Sequence, residues 1–238
     1  MTVEFGEREV VIPGGRGIIL HGTIAMPEQA TPSRFPALLL IQGSGPTDRN
    51  GNQGEHIRTD LLRQFAHLLA TNGIASLRYD KRGMYANSAS IPEDVGLLDE
   101  FFSWRNFVKV DGGRCGILGH SEGGSIGLEI THMEGAANYQ PKALVLAATS
   151  GRPVGILLEE QLGLILSRQN LSAEKIEFYL AAFREVASDI QSSGEIPKNI
   201  PDELKPIFPP GTGHYYRSLL ALDPIPLAAR YAGPVLVI

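Results

Sequence analysis

Residues 114–127 read RCGILGHSEGGSIG, and this stretch constrains the fold more than any other. Cys115 to Leu118 make a short apolar run of the kind a strand buried on both faces requires. Ile126 to Ile130 continue as a helix. Between them Gly119-His120-Ser121-Glu122-Gly123 must turn the chain sharply, and Gly119, Gly123 and Gly124 are small enough to permit it. A serine at such a strand-to-helix turn is strained, with its hydroxyl projecting above the sheet edge. Ser121 is therefore a candidate nucleophile.

A strand covered on both faces needs neighbours of the same kind. Ala37 to Ile41, Ile74 to Leu77 and Ala143 to Ala147 supply them, alternating with stretches of helical spacing, which predicts a mainly parallel α/β sheet. Ahead of them, Glu7 to Ile12 and Ile18 to Met26 flank Pro13-Gly14-Gly15-Arg16-Gly17 and predict an antiparallel hairpin. The clearest helix has Thr59 as its cap, an apolar face of Leu61, Leu62, Phe65, Leu68 and Leu69, and a stop at Asn72-Gly73.

From Gly151 the rhythm changes to helices without strands. Val154 to Gln169 form the first. Ser172 caps the next, Leu171 and Ile176 are spaced for a hydrophobic staple, and that helix runs to about Ser192. A proline-rich stretch precedes a short helix around His214 to Leu222, and a strand pattern returns at Gly233 to Ile238. The expected organisation is a core over residues 1–150, a helical cap insertion over 151–222, and a return to the core over 223–238.

The chain has 238 residues, 43% of them apolar, enough for one large core. Its 21 basic and 26 acidic residues are dispersed, with no basic run to follow a phosphate backbone, so a nucleic-acid partner is not expected. No apolar stretch approaches membrane-spanning length, and MTVEFGEREVVIPGG lacks the apolar core of a secretory leader. Cys115 is the single cysteine, so no internal disulfide can form. A reducing, cytoplasmic location is the expectation, without a membrane partner; the oligomeric state stays open.

A serine that attacks a carbonyl needs donors for the oxyanion that develops. The backbone N–H of Glu122, at the start of a helix, is one candidate. The other is the N–H of Ser44, in the loop Gln42-Gly43-Ser44-Gly45-Pro46 after the Ala37 to Ile41 strand.

Three motifs in this order resemble the α/β-hydrolase-fold serine hydrolases, in particular their esterase and peptidase-like branch. QGSGPTDRNG is similar to that branch's oxyanion loop, LRYDKRG to its Y-D-K-R-G turn and GHSEGG to its nucleophile elbow. DPIPLAARYAGPVLVI resembles the helix and strand after the family's cap. The resemblance implies a central parallel sheet with a helical cap, and hydrolysis of esters, thioesters or amides through an acyl-enzyme. Gln42 stands where the family usually has His, and Met84-Tyr85-Ala86-Asn87 replace its Gly and Ser, so Tyr85 is expected to reshape that loop.

The nucleophile needs an imidazole oriented by a carboxylate. In this fold both follow the serine, whereas His21, His56 and His67 precede it. His120 adjoins it and reads as structural. His132, eleven residues along the helix, is about 16 Å away at 1.5 Å per residue. His214 lies in the insertion and reads as a cap contact, and Asp80 with Arg82 reads as a structural ion pair. The resemblance implies an acid a few residues after the strand Val235 to Ile238 and a histidine some tens of residues further, so both are expected beyond Ile238. Two other readings stay open: a non-catalytic hydrolase-fold module that binds a small acyl ligand or a partner, and a complete enzyme with His214 as base.

A small ester or acyl substrate is the expected partner, with Leu157, Leu158, Leu162, Leu164, Ile165, Phe178, Tyr179 and Phe183 offering apolar surface for pocket or core. No cofactor is expected, since no dinucleotide fingerprint appears. Nor is a metal. Asp48 to Asn52 begin like a calcium loop but are followed by Gln53 and Thr59 where that loop needs Gly and Glu.

Overall fold

The computed structural model describes residues 3–13, 19–28, 34–88, 110–132 and 141–238. The turn expected at residues 14–17 lies outside them. Among the described residues seven strands form one sheet: β1 (Phe5–Pro13), β2 (Ile19–Pro27), β3 (Phe35–Ile41), β4 (Ala75–Tyr79), β5 (Val110–His120), β6 (Leu144–Ala147) and β7 (Val235–Val237). Their order is β1-β2-β4-β3-β5-β6-β7. β1 and β2 pair antiparallel, as the hairpin reading predicted, β2 joins β4 antiparallel, and from β4 to β7 every pairing is parallel.

Alternation along the central strands explains why both sheet faces are apolar. Leu118 of β5 packs with Ala25, Leu40 and helix α1 (Leu61–Thr71). Its neighbour Ile117 points the other way, toward α2 (Glu122–Ile130), where a Cβ on Gly127 would lie 3.1 Å from Ile117 Cγ2. Burying one leucine or isoleucine of this kind contributes about 1.5–3 kcal/mol. β5 also starts earlier than its apolar run, at Val110, and its pairing with β3 shifts register between Phe35 and Ala37.

The packed face of α1 differs from the expected one. Leu62, Ala66 and Ala70 are buried, with Phe65 and Leu69 partly so, whereas Leu68 is 61% exposed. Alanine sets the contact line, because its small side chain lets the helix approach the sheet. Thr59 Oγ1 accepts the Leu61 N–H at 3.3 Å, but the cap position itself is Asp60, in a left-handed conformation.

The chain divides into two compact units, one containing the sheet and the other covering 150–226. The second is helical: α3 (Val154–Ser167), α4 (Ala173–Ser193) and α5 (Gly213–Leu220), followed by α6 (Pro224–Arg230), which runs from it into the sheet unit. Ser172 caps α4 by accepting the Lys175 N–H at 3.3 Å, and Leu171 and Ile176 pack on the same core, as the staple predicted. That core holds Leu162, Tyr179, Phe183, Ile190 and Phe208. Of the apolar residues expected to line a pocket or core, Leu164, Ile165 and Phe178 are instead more than half exposed. No helix among the described residues is long and apolar enough to cross a membrane.

Candidate active site

The strand order reverses at β3. The chain runs from β3 through α1 to β4 on one side, then crosses to β5 on the other. In open α/β sheets the crevice at the carboxyl ends of such a strand pair is where ligands bind. Ile41 of β3 pairs with Gly119 of β5, so the chain leaving β3 as Gln42-Gly43 runs beside the chain leaving β5 as His120-Ser121.

Ser121 occupies the turn that the sequence predicted, between β5 and α2, with φ 53° and ψ −119°. Left-handed backbone is costly for a side chain other than glycine, by about 1–3 kcal/mol, and the surroundings enforce it. The Ser121 N–H donates to Ala147 O at 2.8 Å, and Ser121 O accepts the Gly124 N–H at 3.0 Å. The glycines around it leave no room for side chains. A Cβ on Gly119 would lie 2.2 Å from Gly123 O, one on Gly123 2.3 Å from Ile41 O, and one on Gly124 1.8 Å from Thr149 Oγ1.

The glycine-rich loop stands against the serine. A Cβ on Gly43 would lie 3.3 Å from Ser121 Cβ and 3.0 Å from His120 Nδ1. Ser44, the candidate donor, is next along and exposed. Glu122 is buried in the first turn of α2, where backbone N–H groups have no acceptor within the helix. The structure thus brings Ser121, Glu122 and the Gly43-Ser44 segment together.

Side chains from several elements hold the loop by its carbonyls. Lys81 Nζ donates to Gly43 O at 2.6 Å and to Gly45 O at 3.1 Å. Thr47 Oγ1 donates to Gly43 O at 3.2 Å, Gln53 Nε2 to Ser44 O at 2.8 Å, and the Tyr85 hydroxyl to Pro46 O at 2.7 Å. Tyr85 does shape this region, with φ 47° at the start of a 3-10 turn over Tyr85–Asn87. Gln42 is buried and points away, its Nε2 donating to Tyr79 O at 2.9 Å. Tyr85 is the one of these anchors that the sequence points to; Lys81, within LRYDKRG, Thr47 and Gln53 carry no local signal of which carbonyl they hold.

His67 pairs with Glu7 and His132 bonds Leu227 O at 2.9 Å. His214 belongs to the helical unit, its ring beside Gly194. The His120 ring packs on Gly43, and burial holds its pKa below the ordinary imidazole value, favouring the neutral form. Asp80 is buried and pairs with Arg49, where the sequence reading paired it with Arg82. Its Oδ2 accepts from Arg49 Nη2 at 2.7 Å and its Oδ1 from the Arg49 N–H at 2.9 Å. Arg49 also reaches Glu9 on β1, tying the loop to the sheet. The Asp48 carboxylate is occupied by the N–H groups of Asn50 and Asn52, as a turn would have it.

A mainly parallel sheet with an antiparallel first hairpin, and a serine at a strained strand-to-helix turn at the switch point, define the α/β-hydrolase fold, and this chain has it. In sequence it is similar to Esterase EstD of Thermotoga maritima, 28% identical over 239 residues, a match covering 98% of this chain and 51% of that protein. The chain therefore spans about half the length of the curated relative it matches. Solved structures share the fold: an acetyl xylan esterase from Paenibacillus sp. R4 (TM-score 0.53, 18% identity, 98% of this chain and 68% of that one) and an esterase from Pyrobaculum calidifontis (TM-score 0.51, 18% identity, 98% and 65%). No family model matches the chain.

Proposed function

We propose that this chain carries the nucleophile and oxyanion donors of a serine hydrolase acting on carboxylic esters of small molecules. Ser121 Oγ attacks the ester carbonyl carbon, and the carbonyl electron pair moves onto oxygen, where the Glu122 and Ser44 N–H groups receive it. Collapse expels the alcohol, which takes up the proton removed from Ser121, and water then releases the acid from the acyl-enzyme. The observation that carries this reading is the strained Ser121, φ 53°, with the backbone of Gly43 packed against its Cβ. Similarity to Esterase EstD supports esters as the substrate class. Thioesters and amides react by the same steps.

The imidazole and carboxylate are proposed to come from residues outside 1–238. Two facts support this. The rings of His67 and His132 are bonded to Glu7 and to Leu227 O, and the relative, about twice as long as the match, has room for both groups. The test is hydrolysis of p-nitrophenyl acetate by the full chain encoded in the natural reading frame. The expected result is turnover lost on Ser121→Ala and kept on His214→Ala. Turnover lost on His214→Ala with the fold intact would make His214 the base instead.

A further inference from the structure

We infer that Lys81 is a positioning residue for oxyanion stabilisation: its ammonium group fixes the Gly43-Ser44 peptide so that the Ser44 N–H faces the developing charge. The inference rests on the reading of Ser121 as nucleophile and extends it to a residue 40 positions upstream. Lys81 follows β4, on the far side of β3 from β5, so it reaches the loop from the side opposite the serine.

The geometry is specific. In a trans peptide the carbonyl and the following N–H point in opposite directions, and no described peptide bond is cis. Gly43 O is held by Lys81 Nζ at 2.6 Å and by Thr47 Oγ1 at 3.2 Å. Pinning that oxygen pins the Ser44 N–H on the other side of the same peptide. Glycine alone would leave this peptide free to rotate, and a donor that must reorient during the reaction loses the advantage of preorganisation. Lys81 also holds Gly45 O at 3.1 Å, so a single ammonium group clamps the segment on both sides of Ser44. Its positive charge polarises the Gly43 carbonyl and makes the Ser44 N–H a stronger donor, an effect the neutral Thr47 hydroxyl cannot match.

A group that acts on the oxyanion changes transition-state binding and leaves ground-state binding alone. In the full chain, Lys81→Met is expected to lower kcat for p-nitrophenyl acetate by about 10- to 100-fold with KM within twofold, reaching at most the lower end of the about 100- to 1000-fold that outright loss of one oxyanion donor costs. Affinity for a trifluoromethyl ketone, which forms a tetrahedral adduct on the serine, should fall by the same factor as kcat/KM. If Lys81→Met does not fold, Lys81→Gln keeps a donor without the charge and should lower both quantities about 5-fold. A kcat within twofold of the parent, or a loss residing in KM with ketone affinity unchanged, overturns the inference. Failure of the underlying reading is distinguishable, because Ser121→Ala would then retain turnover.

Discussion

Gly43 packs directly on Ser121: a Cβ added to the glycine would lie 3.3 Å from the serine Cβ. The contact joins the ends of two adjacent parallel strands and leaves less than one methyl group of slack. Gly43→Ala should push the loop by a few tenths of an ångström. Since misplacement by about 1 Å can cost about 100-fold, a several-fold loss of kcat is expected with little change in KM. Steady-state kinetics on p-nitrophenyl acetate reads it, and an unchanged kcat would show that the loop is not part of the site.

The elbow glycines should be structural rather than tunable. Gly119→Ala would set a Cβ 2.2 Å from the Gly123 carbonyl oxygen, a backbone atom that cannot step aside. A loss of about 3 kcal/mol or more is expected in urea denaturation, at the upper end of overpacking costs. Gly151→Ala, where nothing lies within 4 Å, should change stability by less than about 0.5 kcal/mol.

Acid should loosen the hairpin's attachment to the sheet. Burial works to raise the Glu7 pKa, but the charge and hydrogen bonds of buried Arg78, with His67, outweigh it and hold the carboxyl below its ordinary 4.5. A carboxyl whose folded pKa is depressed contributes stability that is present above 4.5 and lost as pH falls through the folded value. Denaturation midpoints measured from pH 6 downward should therefore fall more steeply for the parent than for Glu7→Gln. At neutral pH that substitution should cost about 1–3 kcal/mol, because Arg78 loses a charged partner.

The helical unit has a core of its own, and its aromatic centre is the place to test it. Phe183 is 2% exposed and its ring lies 5.5 Å from that of Phe208. Phe183→Ala should destabilise this unit by about 3–5 kcal/mol, read by hydrogen exchange along α4.

Much of this was legible in the sequence because local pattern carried it. The four apolar runs became adjacent parallel strands, Ser172 capped its helix, and the serine motif landed at a strained turn. What escaped depends on tertiary packing. Helix α1 turned its alanines inward and left Leu68 exposed, a choice that leucine periodicity alone cannot reveal. Asp80 paired with Arg49, 31 residues away, where proximity had suggested Arg82. Lys81 reached Gly43 across 38 residues, and a lysine beside an arginine gives no sign of which carbonyl it will hold.

The site of covalent capture tests Ser121 as the nucleophile directly. The full chain is incubated with a fluorophosphonate, digested, and the modified peptide sequenced by mass spectrometry. The expected result is one adduct per chain on Ser121, abolished by Ser121→Ala, with kcat for p-nitrophenyl acetate reduced about 10⁴-fold or more in that variant. Adduct on a different residue, or turnover undiminished in Ser121→Ala, would contradict it.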